Sequence, residues 1–146
     1  MSAVDPQALI RVSLVVPAGR AAVWEAWTDP AHVAQWWGGW PAGEAPEMAF
    51  EPKVGGTWRF AMKLEGGVQW VGGRVTQLEA PGLLGLTFAW EGAGDPATPV
   101  KIALVEVDAG QTRVELVHDQ SLGGNACSEG WGWSLACLKG WLETQL

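Results

Sequence analysis

Between residues 48 and 118, apolar side chains recur at every second position, the spacing of a strand with one buried face. In the clearest segment, Trp58, Phe60 and Met62 alternate with mostly polar or small neighbours. Short turn signals separate these segments, such as the Gly-Gly pair at 66–67, because glycine adopts positive φ without steric cost. Strands joined by short turns pair antiparallel with their chain neighbours. The region is therefore predicted to form about six antiparallel strands.

Before this region, the sequence predicts one strand followed by two short helices. Residues 10–16 alternate in the same way and predict a first strand, which Pro17 ends. Residues 18–27 place apolar side chains on one side of a short helix. Asp29 is placed to cap a second helix that runs to about Trp37, with a proline in its first turn.

The C-terminal segment, residues 128–142, changes to a helical period. One apolar stripe consists of Trp131, Leu135, Leu138 and Leu142, and a second of Trp133, Cys137, Gly140 and Trp141. A helix that is apolar over more than half of its girth must be covered on several sides. We therefore predict an α+β fold in which a curved antiparallel sheet of about six or seven strands wraps around a long C-terminal helix.

Composition limits the function classes. The formal net charge is −7, with nine Lys and Arg residues, which argues against a nucleic-acid partner because phosphates require a basic surface. Two cysteines, Cys127 and Cys137, are too few for a disulfide scaffold. No apolar run approaches the roughly 18–20 residues of a membrane helix, and the first residues lack a secretory leader pattern. We expect one domain over residues 1–146, cytoplasmic and without membrane insertion.

Aromatic residues are the strongest functional signal, with eleven Trp, three Phe and no Tyr. Trp offers a large apolar surface and one N–H group, which suits both cores and ligand-lining walls. By strand parity and helical spacing, several rings converge on the space between sheet and helix, where they either fill a core or line a cavity. The predicted ligand-binding residues are Trp58, Phe60, Met62, Trp70, Phe88, Trp90, His118, Trp133, Cys137 and Trp141.

The inward position of Trp70 depends on the geometry at the Gly72-Gly73 pair. A bulge at these glycines would turn Trp70 and Val75 to the same face of the sheet. Two other strand residues, Arg59 and Arg113, are expected to point away from the cavity and to pair with carboxylates of the outer face.

No catalytic or metal-binding motif is present, and two histidines without a carboxylate motif do not make a metal site. We therefore predict no catalytic residue, metal or cofactor. His118 shares the inward face of the last strand, where it either orients a ligand hydroxyl or forms a structural hydrogen bond. His32 is expected to lie in solvent on the second helix.

Five segments, taken in order, carry a family resemblance: residues 16–38, 54–60, 84–90, 112–118 and the Gly-Trp pair at 130–131. Together they resemble the START/SRPBCC helix-grip superfamily, which includes birch-pollen-allergen-type proteins and aromatic polyketide cyclases. More narrowly, they are similar to the branch named after the C-terminal domain of the heat-shock protein 90 ATPase activator. The resemblance covers nearly the whole chain and implies a hydrophobic cavity between the sheet and the C-terminal helix.

Three functions are compatible with these residues and with the resemblance. The favoured one is binding of a hydrophobic, aromatic small molecule in the cavity. The second is a co-chaperone or protein-interaction module, and the third is a cyclase-like enzyme that uses His118 as acid and base. Because the chain opens directly on the first strand, we expect no partner-binding domain before it and do not favour a chaperone partner. Whether the protein forms a homodimer is left open.

Overall fold

The computed structural model describes residues 9–41, 43–94, 96–120 and 128–146. Within these residues, no helix is long and apolar enough to cross a membrane. The helices are α1 (Arg20–Thr28), α2 (Pro30–Trp36) and α3 (Ser128–Thr144). The strands are β1 (Leu9–Val16), β2 (Ala49–Phe50), β3 (Thr57–Leu64), β4 (Gly67–Glu79), β5 (Leu83–Trp90), β6 (Thr98–Asp108) and β7 (Gln111–Asp119). The predicted α+β element order is confirmed.

The strands form one antiparallel seven-stranded curved sheet in the order β1-β7-β6-β5-β4-β3-β2. From β2 to β7, each strand pairs with the next one along the chain, as short turns require. The first strand pairs with the last, with Ile10 opposite His118 and Val16 opposite Thr112. The period-two pattern therefore places one apolar face on the inside of the whole sheet.

The first apolar stripe of α3 provides the other half of the core. Its four members, Trp131, Leu135, Leu138 and Leu142, are all buried, as the helical spacing predicts. The second stripe is different, because Trp133 is 42% exposed and Gly140 is exposed. The helix is therefore enclosed along one side only, and its second stripe borders solvent.

The two short helices end in a tight turn that fixes the position of Trp37. The carboxylate of Asp29 accepts a hydrogen bond from the Ala31 amide at 2.9 Å and caps α2, as predicted. A 3₁₀ turn over Trp37–Gly39 follows, in which Gly38 adopts a φ of +83°. A Cβ on Gly38 would lie 2.4 Å from the carbonyl oxygen of Ala61, so this turn packs closely on β3.

The predicted bulge at Gly72-Gly73 is wrong. Pairing with β3 is regular through both glycines, and the register with β5 shifts only beyond Val75. Trp70 and Val75 therefore lie on opposite faces, with Val75 in the core. A Cβ on Gly73 would lie 2.2 Å from the carbonyl oxygen of Thr87, so the glycine permits a close approach of β5 rather than a bulge.

Candidate functional site

A cavity of about 390 Å³ lies between the sheet and the first two turns of α3. Strands β3 and β5 form one wall, and α3 forms the opposite wall. Leu64 and Trp133, which are 44% and 42% exposed, lie where the cavity meets solvent. The lining residues are Trp37, Met62, Leu64, Phe88, Trp90, Glu129, Gly130, Trp131, Trp133 and Ser134.

Local geometry explains how these side chains meet. Met62 and Leu64 share the inward face of β3, and Phe88 and Trp90 share that of β5, because side chains two positions apart point to the same side. The helical residues occupy consecutive turns near the start of α3, so the cavity lies at that end of the helix rather than along its whole length.

Few polar groups interrupt the apolar wall. The Ser134 hydroxyl donates to the carbonyl of Gly130 at 3.1 Å within the helix. Glu129 is the only ionisable side chain among the described lining residues. The indole N–H groups of Trp37 and Trp90 are buried, and neither has a hydrogen-bond partner among the described residues.

His118 lies deeper, in the core, with 0% of its surface exposed. The indole N–H of Trp131 can only donate, so it donates to Nδ1 of His118 at 2.9 Å. The neutral ring then carries its proton on Nε2, which donates to the hydroxyl of Thr98 at 2.7 Å. The Thr98 hydroxyl in turn donates to the carbonyl of Phe88 at 3.3 Å. With this assignment, every polar side-chain atom in the hydrogen-bonded series from Trp131 to Phe88 has a partner.

Burial sets the protonation state of His118. Desolvation lowers its pKa from 6.5 to about 4, and the nearby carboxylate of Asp119 opposes this only partly. The ring is therefore neutral at pH 7. Of the two roles that the sequence allows, the structure places His118 in the structural one, and the residue does not line the cavity.

Trp58 and Phe60 also belong to the packed core rather than to the cavity wall. Their ring centres are 4.9 Å apart, and Trp58 donates its N–H to the carbonyl of Thr87 at 2.8 Å. Phe88 joins this core to the cavity, with its ring 5.9 Å from Trp58 and 5.7 Å from Trp90. The rings of Trp58 and Phe60 therefore fill the core, whereas those of Phe88 and Trp90 line the cavity.

Trp70 lies on the outer face of the sheet, contrary to its predicted inward position. The guanidinium carbon of Arg59 sits 3.8 Å from the centre of the Trp70 ring. Arg59 also pairs with Glu91, with Nη2 and Oε1 2.9 Å apart, and this bond raises the pKa of Arg59 and lowers that of Glu91. The predicted outward orientation of Arg59 is confirmed, and Arg113 likewise lies 3.9 Å from Glu115.

Two predicted residues of α3 lie away from the cavity. The Trp141 ring packs against His32, 5.6 Å between ring centres, beside a separate groove of about 410 Å³. His32 is therefore half-buried rather than in solvent. Cys137 is partly buried, which raises its thiol pKa, and it does not line the cavity. Cys127 lies outside the described residues.

Four of the ten predicted site residues line the cavity: Met62, Phe88, Trp90 and Trp133. Six lining residues were not predicted from the sequence: Trp37, Leu64, Glu129, Gly130, Trp131 and Ser134. Strand parity could have identified Leu64, which lies two positions after Met62. Helical spacing could have identified Trp131 and Ser134, which are three positions apart on one helix face. Trp37 carried no such signal, because its position depends on the turn at Gly38.

Comparisons with known proteins agree with this architecture. Residues 17–143 match the family model described as Activator of Hsp90 ATPase homolog 1-like protein. No curated protein matches the chain in sequence. Among solved structures, a protein from Rhodobacter sphaeroides is 25% identical with a TM-score of 0.72, and the match covers 92% of this chain and 93% of that one.

Two further structures have the same fold. A protein from Chromobacterium violaceum is 25% identical with a TM-score of 0.75, over 95% of this chain and 99% of that one. The Aha1 dimer from Colwellia psychrerythraea, solved in solution, is 22% identical with a TM-score of 0.68, over 92% and 96%. Since the family model spans most of the sequence, this chain belongs to the Activator of Hsp90 ATPase homolog 1-like family.

Proposed function

We propose that this protein binds a hydrophobic, largely aromatic small molecule in the cavity between the sheet and α3. The observation that carries the proposal is the 390 Å³ space itself, bounded by five aromatic rings. Its volume falls within the range of roughly 300–1,000 Å³ that is common for small-molecule sites.

Burial of apolar surface would drive binding, at roughly 25 cal/mol per Å² before the costs of association. Phe88, Trp90 and Trp131 contribute rings from two opposite walls. Phe88 and Trp131 contact each other directly, with 5.5 Å between ring centres, so they close the inner end of the cavity rather than enclose a ligand between them. Aromatic pairs favour offset or edge-to-face contact, so a flat ligand that lies against this inner end can contact several rings at once.

Binding is favoured over the two other functions. An acid–base role for His118 would require breaking its bonds to Trp131 and Thr98, and the ring has no exposed surface. A docking module would need a broad apolar surface, whereas the outer face carries exposed charges such as Lys101 and Arg113 among its valines. We therefore propose no second function.

A thermal-shift screen against flat hydrophobic compounds tests the proposal. A ligand at 100 times its Kd adds about 2.7 kcal/mol to the free energy of unfolding. For a chain of this size, the melting temperature should rise by roughly 5–10 °C. Absence of a rise across polyketides, flavonoids, fatty acids, sterols and indoles would overturn the proposal.

Paired variants locate the site. Trp133→Ala removes a half-exposed ring from the cavity mouth and should weaken binding about tenfold while changing stability little. Leu64→Ala and Val68→Ala form a matched control, because both side chains are exposed on the β3–β4 hairpin and only Leu64 lines the cavity. Binding that responds equally to both would place the ligand elsewhere.

A further inference from the structure

We propose that the ligand carries a protonated amine on its aromatic frame, and that this amine lies at the cavity mouth between the carboxylate of Glu129 and the ring of Trp133. This inference rests on the proposed function and defines the charged group of the ligand. The proposed function comes from the volume and the rings of the cavity, whereas this inference comes from the charge at its mouth.

Glu129 and Trp133 are neighbours at the mouth. Both line the cavity, and four positions separate them on α3, so their side chains lie one helical turn apart on the same face. Glu129 is exposed and Trp133 is half-exposed, so a ligand that enters from solvent meets them first. A carboxylate attracts an ammonium group by its charge, and an indole attracts it through the electron-rich face of the ring. The mouth therefore offers two groups that bind the same kind of cation.

The outer face of the sheet shows the same combination with its cation in place. The guanidinium carbon of Arg59 lies 3.8 Å from the centre of the Trp70 ring, and the guanidinium also pairs with Glu91. There the chain supplies its own cation. At the mouth, Glu129 forms no ion pair with a described residue, and the described lining residues include no lysine or arginine. The cation can therefore come from a ligand.

The inner wall offers little to a ligand oxygen. The N–H groups of Trp37 and Trp90 are buried out of reach of a molecule in the cavity, and that of Trp131 is bonded to His118. The hydroxyl of Ser134 uses its hydrogen in a bond within the helix. A carbonyl or carboxylate oxygen against this wall would lose its hydration without a described side-chain donor in exchange. The aromatic frame of the ligand therefore fits the inner wall, and its polar group fits the mouth.

Charge at the mouth selects a cation over an anion. The start of a helix carries about half a positive charge, which by itself would favour an anion. Glu129 lies in the first turn of α3, and its full negative charge outweighs that partial charge. The chain as a whole carries a net charge of −7, which adds to the attraction of a cation. A carboxylate ligand would meet like charge at this position.

Three probes with one flat two-ring frame test the choice of charge: 2-naphthylmethylamine, 2-naphthylmethanol and 2-naphthoic acid, which are positive, neutral and negative at pH 7. Equilibrium dialysis at low ionic strength measures the affinity of each for the intact protein. The ammonium is the most strongly hydrated of the first two groups, so apolar burial alone predicts that the alcohol binds more tightly than the amine. We expect the amine to bind about fivefold more tightly than the alcohol, and the acid to bind more weakly than either. Added salt should reduce the advantage of the amine, because Glu129 is exposed.

Paired variants locate the cation. Glu129→Gln keeps the shape of the side chain and removes its charge, so it should weaken binding of the amine about threefold and leave binding of the alcohol unchanged. Trp133→Leu keeps an apolar side chain and removes the ring, so it should also reduce the advantage of the amine over the alcohol. Glu143→Gln is the matched control, because it makes the same change of charge at an exposed position of α3 about 20 Å away. This control should keep the full preference for the amine.

The outcomes separate the two proposals. Binding of all three probes with equal affinity, or tightest binding of the acid, would overturn this inference and leave the proposed function intact. A preference for the amine that survives Glu129→Gln, or that falls equally in Glu143→Gln, would also overturn it. Failure of all three probes, together with failure of the thermal-shift screen, would count against the proposed function and this inference together.

Discussion

Two groups of buried polar atoms in the interior differ in how they are paired. In the first, the closed network, Trp131, His118 and Thr98 form a continuous chain of hydrogen bonds that ends on the carbonyl of Phe88. In the second, the open wall, Trp37 and Trp90 border a cavity and have buried N–H groups without a partner among the described residues. Trp131 connects the two, because its ring also lines the cavity and lies 5.9 Å from that of Trp37. The same residue type thus appears in a closed network and in an open wall.

Strand parity alone therefore does not distinguish a packed ring from a ring that lines a cavity. Trp58 and Trp90 both face inward, from strands on either side of β4. What separates them is the partner of the indole, because Trp58 reaches the carbonyl of Thr87 and Trp90 reaches no described acceptor. Buried donors are usually paired, so an unpaired indole such as that of Trp27, Trp37 or Trp90 is an exception that needs a physical cause.

The largest loss of stability is expected from His118→Ala, in the closed network. This change removes a fully buried ring and leaves the Trp131 N–H and the Thr98 hydroxyl without their partners. We expect the free energy of unfolding, measured with urea, to fall by about 3–5 kcal/mol. Trp133→Ala, at the mouth of the cavity, should lower the free energy of unfolding by less than about 1 kcal/mol, because its ring is already half-exposed. Similar losses for the two variants would remove the distinction between the regions.

The next largest effect is expected from acid, which should lower the free energy of unfolding through His118 in the closed network. The pKa of His118 is lowered by burial from 6.5 when unfolded to about 4 when folded, so between these values the unfolded chain binds more protons. The contribution of the neutral ring is therefore fully present above pH 6.5 and is lost as the pH falls towards 4. At pH 5, we expect a loss of about 2 kcal/mol relative to neutral pH.

Urea titrations at several pH values check this dependence, with His118→Gln as the control. The variant retains the carboxylates that titrate in the same range and lacks the imidazole. Its free energy of unfolding should therefore change less steeply between pH 6.5 and 4. An identical slope in both proteins would assign the acid sensitivity to other groups.

Much of the fold was predictable from sequence because it depends on periodicity. The period of two predicted the inward face for Phe88 and Trp90, and the helical spacing of residues 128–142 predicted the helix that covers it. The site was less predictable. Trp70 was misplaced because a Gly-Gly pair can indicate either a bulge or a close strand approach, and only the position of Thr87 distinguishes them. The hydrogen-bond partners of His118, Thr98 and Trp131, could not be predicted because they lie on other elements that only the folded structure brings next to it.

The finest test compares two substitutions that each remove one indole N–H. In Trp58→Phe, the carbonyl of Thr87 loses its donor, so the cost includes a broken bond as well as lost apolar area. In Trp90→Phe, the lost N–H had no described partner, so the cost is limited to area. We expect about 2–3 kcal/mol for Trp58→Phe and less than about 1 kcal/mol for Trp90→Phe, both from urea unfolding. Equal costs would show that the Trp90 N–H is bonded in the free protein, and that the contrast between the closed network and the open wall lies in ring packing rather than in hydrogen bonding.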